Sequence, residues 1–259
     1  MSSSNGIELS AVGESWSLDV GVTWHADPLT SSIVREPTRS HVPYTTNMAN
    51  SDVPNIYIIG PQSTGKTTLV NELQNIIEHC LADTSIDKPQ IVSEVARTVL
   101  AKHKYSAEDI LASTTRCLEL QQLILEAQAS SEKDALRTSS WFISDRSGFD
   151  PLVYAKRYAA PNAVAQLQQL PAWKEVKMRM ERSLVVVCEA GTPWLMDDGV
   201  RLMPGSDKEW MQLFHDFCRM LDEVGLGYCV VPRTVLDISE RAALVWTKWI
   251  ERRQSLTDN

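Results

Sequence analysis

The sequence predicts an α/β protein, a five-stranded parallel sheet with helices on both faces, and three observations carry that reading. From Val53 onward short apolar runs alternate with amphipathic stretches; the links between them are short; no internal repeat interrupts the order. Alternation of this kind builds parallel βαβ units.

The elements follow in order. Ile56, Tyr57, Ile58 and Ile59 read as a buried strand, since β-branched and aromatic residues suit a sheet covered on both sides. Leu69, Val70, Leu73, Ile76 and Ile77 then recur at three- and four-residue spacing, one face of a helix. Gln90 to Ser93 gives a second strand, and a helix follows it. Another helix starts at Ser106, whose hydroxyl can cap it with Asp109 three residues on. It continues with Ile110, Cys117 and Ile124 beside Leu111, Leu118 and Leu125 as its buried stripe. The third strand ends near Asp145, before a helical stretch broken at Pro171. "SLVVVCEAG" is a fourth strand, too apolar for a sheet edge. Asp207 to Val224 reads as a helix, "GYCVVP" as a fifth strand, and Ile238 to Arg253 as a closing helix.

Residues 1–52 differ. They are rich in Ser, Thr, Asn and Pro and lack an apolar period, which predicts a disordered or weakly ordered N-terminal arm on which Trp16 and Trp24 stand out. Residues 53–255 are expected to form one domain, long enough to bury about 70% of its unfolded surface.

Between the first strand and its helix lies the most informative stretch, "IYIIGPQSTGKTTL". Gly60, Gly65, Lys66 and Thr67 fit the G-x-x-x-x-G-K-[ST] spacing of a phosphate-binding loop. In a chain this long the pattern arises by chance with a probability on the order of 1%. Strand, loop and helix is also the order the chemistry requires. The glycines let successive N–H groups turn inward, and the helix N-terminus adds partial positive charge. Gly60, Pro61, Gln62, Ser63, Thr64, Gly65, Lys66, Thr67 and Thr68 are therefore the expected nucleotide-binding residues, for ATP or GTP. Lys66 is expected on the β/γ-phosphates, and Thr67 on Mg²⁺ with Asp145. The expected class is thus a P-loop NTPase three-layer sandwich.

Composition limits the partners. The chain has 259 residues, 43% hydrophobic and 22% charged, the balance of a globular protein. A net charge of −8 argues against nucleic acid or an anionic membrane as main partner. No apolar run can span a bilayer, and no secretory signal is legible. The five cysteines form no C-x-x-C pair and read as reduced core residues, which points to a cytoplasmic protein. His79, His103 and His215 lack ligand spacing.

In parallel sheets ligands bind beyond the carboxyl ends of the strands. Glu94 follows the second strand, Asp145-Arg146-Ser147 the third, Arg201 lies in the long segment after the fourth, and Arg233 follows the fifth. Motor ATPases usually end the third strand in Asp-Glu, where the Glu activates water; here Arg146 takes that place. No Asn-Lys-x-Asp guanine-reading motif follows a later strand. An Asp here can hold Mg²⁺ and an Arg beside it can stabilise a travelling phosphoryl group, which favours transfer over hydrolysis or switching. A structural ion pair is the competing reading of Asp145-Arg146. For Glu94 the competitor is a helix cap, for Arg201 a solvated charge. Asp150 is a candidate for the acceptor pocket. Asp197 and Asp198 read as solvating acids or metal ligands. Lys174, Lys177, Arg179 and Arg182 read as a solvated face or an anion-binding one.

"IYIIGPQSTGKTTL", "VSEVAR", "ISDRSGFDPLVYA" and "DDGVRLMP" together resemble the P-loop domain of the NadR-type nicotinamide-riboside kinases and their eukaryotic AAA-domain relatives. The similarity covers roughly residues 54–252. It implies a nucleoside- or NMP-kinase-like fold and a catalytic set of Lys66, Glu94, Asp145, Arg146 and Arg201. By it Glu94 is the substrate-side carboxylate, Asp145 and Arg146 the metal and phosphate pair, and Arg201 the arginine of a closing lid. The adenylyltransferase domain of bacterial NadR is not expected in the first 52 residues. Two readings stand: an ATP-dependent kinase with a small hydroxylated, nucleoside-like acceptor, or a regulatory nucleotide binder acting on a protein or lipid partner.

Overall fold

The computed structural model describes residues 9–12, 15–18, 53–82, 84–194 and 205–258. The chain divides into two units, Met1–Val34 and Arg35–Asn259. In the first, β1 (Leu9–Val12) and β2 (Ser15–Leu18) pair antiparallel, with Leu9 opposite Leu18 and Val12 opposite Ser15.

The second unit is built on a parallel sheet of five strands: β3 (Ile56–Ile59), β4 (Gln90–Val92), β5 (Phe142–Asp145), β6 (Leu184–Cys188) and β7 (Cys229–Val231). Their order across the sheet is β4-β5-β3-β6-β7, so the strand that leads into the glycine loop is central. All four residues of β3 and all five of β6 are buried, as apolar strands covered on both faces must be. This is the expected three-layer sandwich.

Nine helices are described in this unit: α1 (Lys66–Cys80), α2 (Val95–His103), α3 (Ala107–Ala112), α4 (Thr114–Ala135), α5 (Asp150–Tyr158), α6 (Ala163–Gln169), α7 (Pro171–Glu181), α8 (Asp207–Val224) and α9 (Ile238–Thr257). Ser106 caps α3 through a capping box with Asp109, as the spacing predicts. The long helix expected from Ser106 is, however, two. Ser113 is extended, and its hydroxyl accepts from Arg116 N–H to start α4 afresh. The buried row Ile110, Cys117 and Ile124 carries across the break, while of the neighbouring row Leu111 is exposed and Leu125 buried. The closing helix runs on to Thr257, and Pro171 opens α7 at its first turn, where a missing N–H costs nothing. Arg179, expected on a basic solvated or anion-binding face, instead turns inward to buried Glu132 at 2.8 Å. Cys117 and Cys188 are buried, and Cys80, Cys218 and Cys229 half-buried. Among the described residues no helix is long and apolar enough to cross a membrane.

On the sheet face under α9, three indoles stack. Trp249 lies 4.8 Å from Trp141 and 4.7 Å from Trp246, and its N–H donates to the Pro54 carbonyl at 2.7 Å. Trp249→Ala should therefore cost about 3–5 kcal/mol, a fall of roughly 10 °C in Tm for a domain of this size. Calorimetric melting tests this; an unchanged Tm would show that the stack does not hold α9 down.

Candidate active site

The loop after β3 owes its path to two close approaches. Gly60 has φ 127°, and a Cβ there would lie 2.7 Å from the Cys188 carbonyl oxygen, so only glycine fits. Gly65 has φ 79° and is the N-cap of α1 without a side-chain cap, so that helix end offers its free N–H groups to whatever the loop holds. Between them Ser63 also adopts a left-handed conformation, φ 56°. Three contacts fix the loop from behind: Trp210 Nε1 donates to Gln62 O at 2.9 Å, Tyr154 Oη to Gln62 Oε1 at 3.2 Å, and Arg241 Nη2 to Thr64 O at 2.9 Å.

Lys66 is 5% exposed, its Nζ donating to the Pro61 carbonyl and to Thr64 Oγ1. Burial, and then the charge of Arg146, pull its pKa down to about 7. Thr67 Oγ1 donates to Asp145 Oδ2 at 2.5 Å, which brings together the two oxygens expected to hold a cation. No group of three His, Cys, Asp or Glu suited to a metal occurs among the described residues. A Mg²⁺ on a P-loop needs only one or two protein oxygens, with phosphates and water supplying the rest, so hydroxyl and carboxylate fit it. Thr68, the next residue, is exposed.

Asp145 and Arg146 do not pair with each other. Arg146, at φ 79°, turns its guanidinium the other way, with Nε on Glu94 Oε1 at 2.6 Å and Nη1 on Asp150 Oδ1 at 3.1 Å. Burial works against its charge, but Glu94, Tyr154 and the two aspartates outweigh it and raise its pKa. Glu94 occupies the N-cap position of α2 yet makes no side-chain cap; its other oxygen accepts from Arg97 Nε at 3.1 Å. Asp150 also accepts from Ser147 N and Oγ at 3.0 and 2.9 Å. Burial pushes its carboxyl up, against the pull of Arg146 and Lys66.

Glu94, Arg146 and Asp150 share one cleft with Gln62 of the loop, a space of about 700 Å³ including its mouth. Its wall from α2, α3 and α4 is mostly apolar, with Leu100, Ile110, Leu120 and Ile124, and carries the buried amides of Gln121 and Gln128. Arg233 follows β7. Its N–H donates to Glu189 Oε2 at 2.8 Å and its guanidinium lies against Gly191 and Met211, and none of its hydrogen bonds among the described residues reaches the loop. Arg201, Asp197 and Asp198 lie outside the described residues. Sequence reasoning missed Tyr154, Gln128 and Arg241. Tyr154 could have been found, four residues after Asp150 on one helix face. Gln128 hides inside an apolar stripe, and Arg241 on a helix remote in sequence from the loop.

Comparison with known proteins matches this architecture. The chain resembles the structure of a NadR protein in complex with NR, with a TM-score of 0.56 and 22% identity over 76% of this chain and 51% of that one. It thus spans about half the length of that protein. Further matches are deoxyadenosine kinase from M. mycoides with products dCMP and a flexible dCDP bound (TM-score 0.49, 16% identity, 76% of this chain and 98% of that one), and shikimate kinase from Acinetobacter baumannii in complex with shikimate (0.45, 14%, 78% and 96%). No curated protein matches. The AAA domain family model covers residues 55–241, from the start of β3 to the guanidinium that holds the loop from behind. On that match, which takes in the sheet, the loop and the cleft, the chain belongs to the AAA domain family.

Proposed function

We propose that the protein is an ATP-dependent phosphotransferase that moves the γ-phosphoryl group to a hydroxyl of a small, nucleoside-like acceptor. The observation that carries this reading is the cleft beside the glycine loop, where Glu94, Arg146 and Asp150 meet at one end of an apolar pocket. A switch needs a phosphate site alone; transfer needs a second pocket next to it. The fold likeness to a NadR protein bound to NR is in keeping with a riboside acceptor such as nicotinamide riboside.

The residues divide the work. The loop from Gly60 to Thr68 would hold the phosphates, with Lys66 neutralising their charge. Thr67 and Asp145 would hold Mg²⁺, which when bound screens the phosphate oxygens. Glu94 accepts and orients the acceptor hydroxyl. Arg146, clamped by two carboxylates, holds Glu94 in place. Arg201 remains the sequence's candidate for charge neutralisation from a lid. Positioning and electrostatics suffice, since phosphoryl transfer needs no covalent enzyme intermediate.

Two measurements follow. Lys66 holds its proton weakly in the free protein, its pKa lowered to about 7 from 10.5, and a polyphosphate beside it restores the charged form. Nucleotide binding should then take up a proton above pH 7, and affinity should fall with rising pH by a factor approaching ten per unit. Titration calorimetry at pH 8 in buffers of different ionisation heat reads the uptake; none would mean that Lys66 is already charged. For the transfer step, Glu94→Gln should leave ATP affinity nearly intact and lower acceptor phosphorylation by about 10²-fold or more. Undiminished turnover would remove Glu94 from the mechanism. Absence of any phosphorylated product from a metabolite extract would favour a nucleotide-dependent regulator.

A further inference from the structure

Behind the cleft runs a buried polar chain that the transfer step does not use. Glu132 on α4 has no exposed surface, and three donors converge on its carboxylate. Tyr57 Oη reaches Oε2 at 2.9 Å, Arg179 Nε reaches the same oxygen at 2.8 Å, and Gln128 Nε2 reaches Oε1 at 3.0 Å. A carboxylate only accepts, so Glu132 dictates which way the Gln128 amide faces. Its nitrogen turns to Glu132 and also donates to Ser144 Oγ at 2.9 Å. The carbonyl must then point away from both.

That carbonyl has nothing to meet. Gln128 is 1% exposed and lines the cleft, and its Oε1 has no hydrogen-bond partner. A buried acceptor without a donor is costly, and native proteins keep few of them. Here it sits on a wall that α4 lines with Leu120 and Ile124 and with one other buried amide, Gln121. A few polar groups on a mostly apolar wall are how small-molecule sites fix orientation, and of these two amides Gln128 is the one whose buried carbonyl lacks a partner. We infer that Gln128 is a specificity-determining residue of the acceptor site, its Oε1 receiving an N–H or O–H donor carried by the ligand away from its reacting hydroxyl. Glu132 and Arg179 are positioning residues that act through Gln128. Ligands with a carboxamide or amino group at that place are favoured. A carboxylate there brings only lone pairs to a carbonyl, with no proton to share.

The inference rests on the cleft being the acceptor site, as proposed above, but it concerns binding and is tested by binding. Two pairs of ribosides differ at the donor: adenosine against purine riboside, which lacks the amino group, and nicotinamide riboside against nicotinate riboside, whose carboxylate also adds a negative charge. Calorimetry on the full chain with Mg–AMP-PNP should show the donor-bearing member bound about tenfold tighter or more in at least one pair, since a site built for a hydrogen bond rejects a ligand lacking it. Gln128→Met, similar in length, should erase the difference by weakening only the donor-bearing member. Should that variant fold poorly, Glu132→Gln serves: its side chain can donate, so the Gln128 amide is free to turn over, and the preference should shrink or reverse. No discrimination in either pair, no binding of any of the four, or discrimination that survives Gln128→Met would each overturn the inference. Discrimination in binding without ADP formation would leave it standing and overturn the kinase reading instead.

Discussion

The site depends above all on the register of three parallel strands. Val92 of β4 pairs with Ser144 of β5, and two residues further along each chain Glu94 and Arg146 meet at 2.6 Å. Ile58 of β3 pairs with Asp145, so Gly60 begins its turn two residues past that pair and Thr67 can return to the Asp145 carboxylate. A slip of one residue in either ladder would reverse every side chain across the sheet and scatter these groups. Register is secured by burial on both faces. Ile56 and Ile58 face one side of the sheet and Tyr57 and Ile59 the other, all with no exposed surface.

The same packing makes the free site electrostatically expensive. Lys66, Arg146, Asp145 and Asp150 are all buried at the strand ends. Arg146 is compensated by Glu94 and Asp150, while Lys66 has, among the described residues, no carboxylate within hydrogen-bond reach and leans on the Pro61 carbonyl and Thr64. Its lowered pKa has a defined consequence for stability. Between pH about 7 and 10.5 the unfolded chain binds more protons than the folded one, so the nucleotide-free fold gains stability as pH rises through that window. A bound polyphosphate removes the penalty. The unfavourable charge is what a phosphate-binding loop needs, because a lysine already satisfied by a carboxylate would have less to gain from a ligand.

Much of this was legible in the sequence, and the gaps have physical causes. The strands, the loop and α8 follow from apolar period and glycine spacing, which are local signals. The break at Ser113 was missed because the apolar stripe of α4 continues in phase from Cys117, while the interruption is a single serine that also makes a good cap. Glu94, Asp145 and Arg146 could be nominated from their places after strands. Their pairing could not, since the left-handed backbone of Arg146 turns its side chain away from Asp145 and toward α2 and α5. Arg179 looked like surface because three other basic residues share its stretch, and only the fold reveals a buried carboxylate on α4 opposite it. Arg233 also follows a strand, the edge strand β7, with its backbone N–H on Glu189 and its guanidinium against Met211.

The loop's strain and its clamps belong together. Ser63 holds a left-handed conformation that costs a non-glycine residue of order 1–3 kcal/mol, and such a state persists only when its surroundings over-determine it. The surroundings are three elements distant in sequence: Tyr154 from α5 on the Gln62 side chain, Trp210 from α8 on the Gln62 carbonyl, and Arg241 from α9 on the Thr64 carbonyl. Tyr154 also lines the acceptor cleft, so one side chain touches both the phosphate loop and the second pocket. Arg241 is 1% exposed and keeps two further N–H groups without partners, Nε and Nη1. That is a poor arrangement for stability alone. It is a reasonable one for a loop that must present its amides to an anion without reorganising, because a buried positive charge behind the loop adds to the field in front of it. The strain at Ser63 and the half-satisfied guanidinium are thus two costs of one device, a phosphate cradle held rigid by its surroundings.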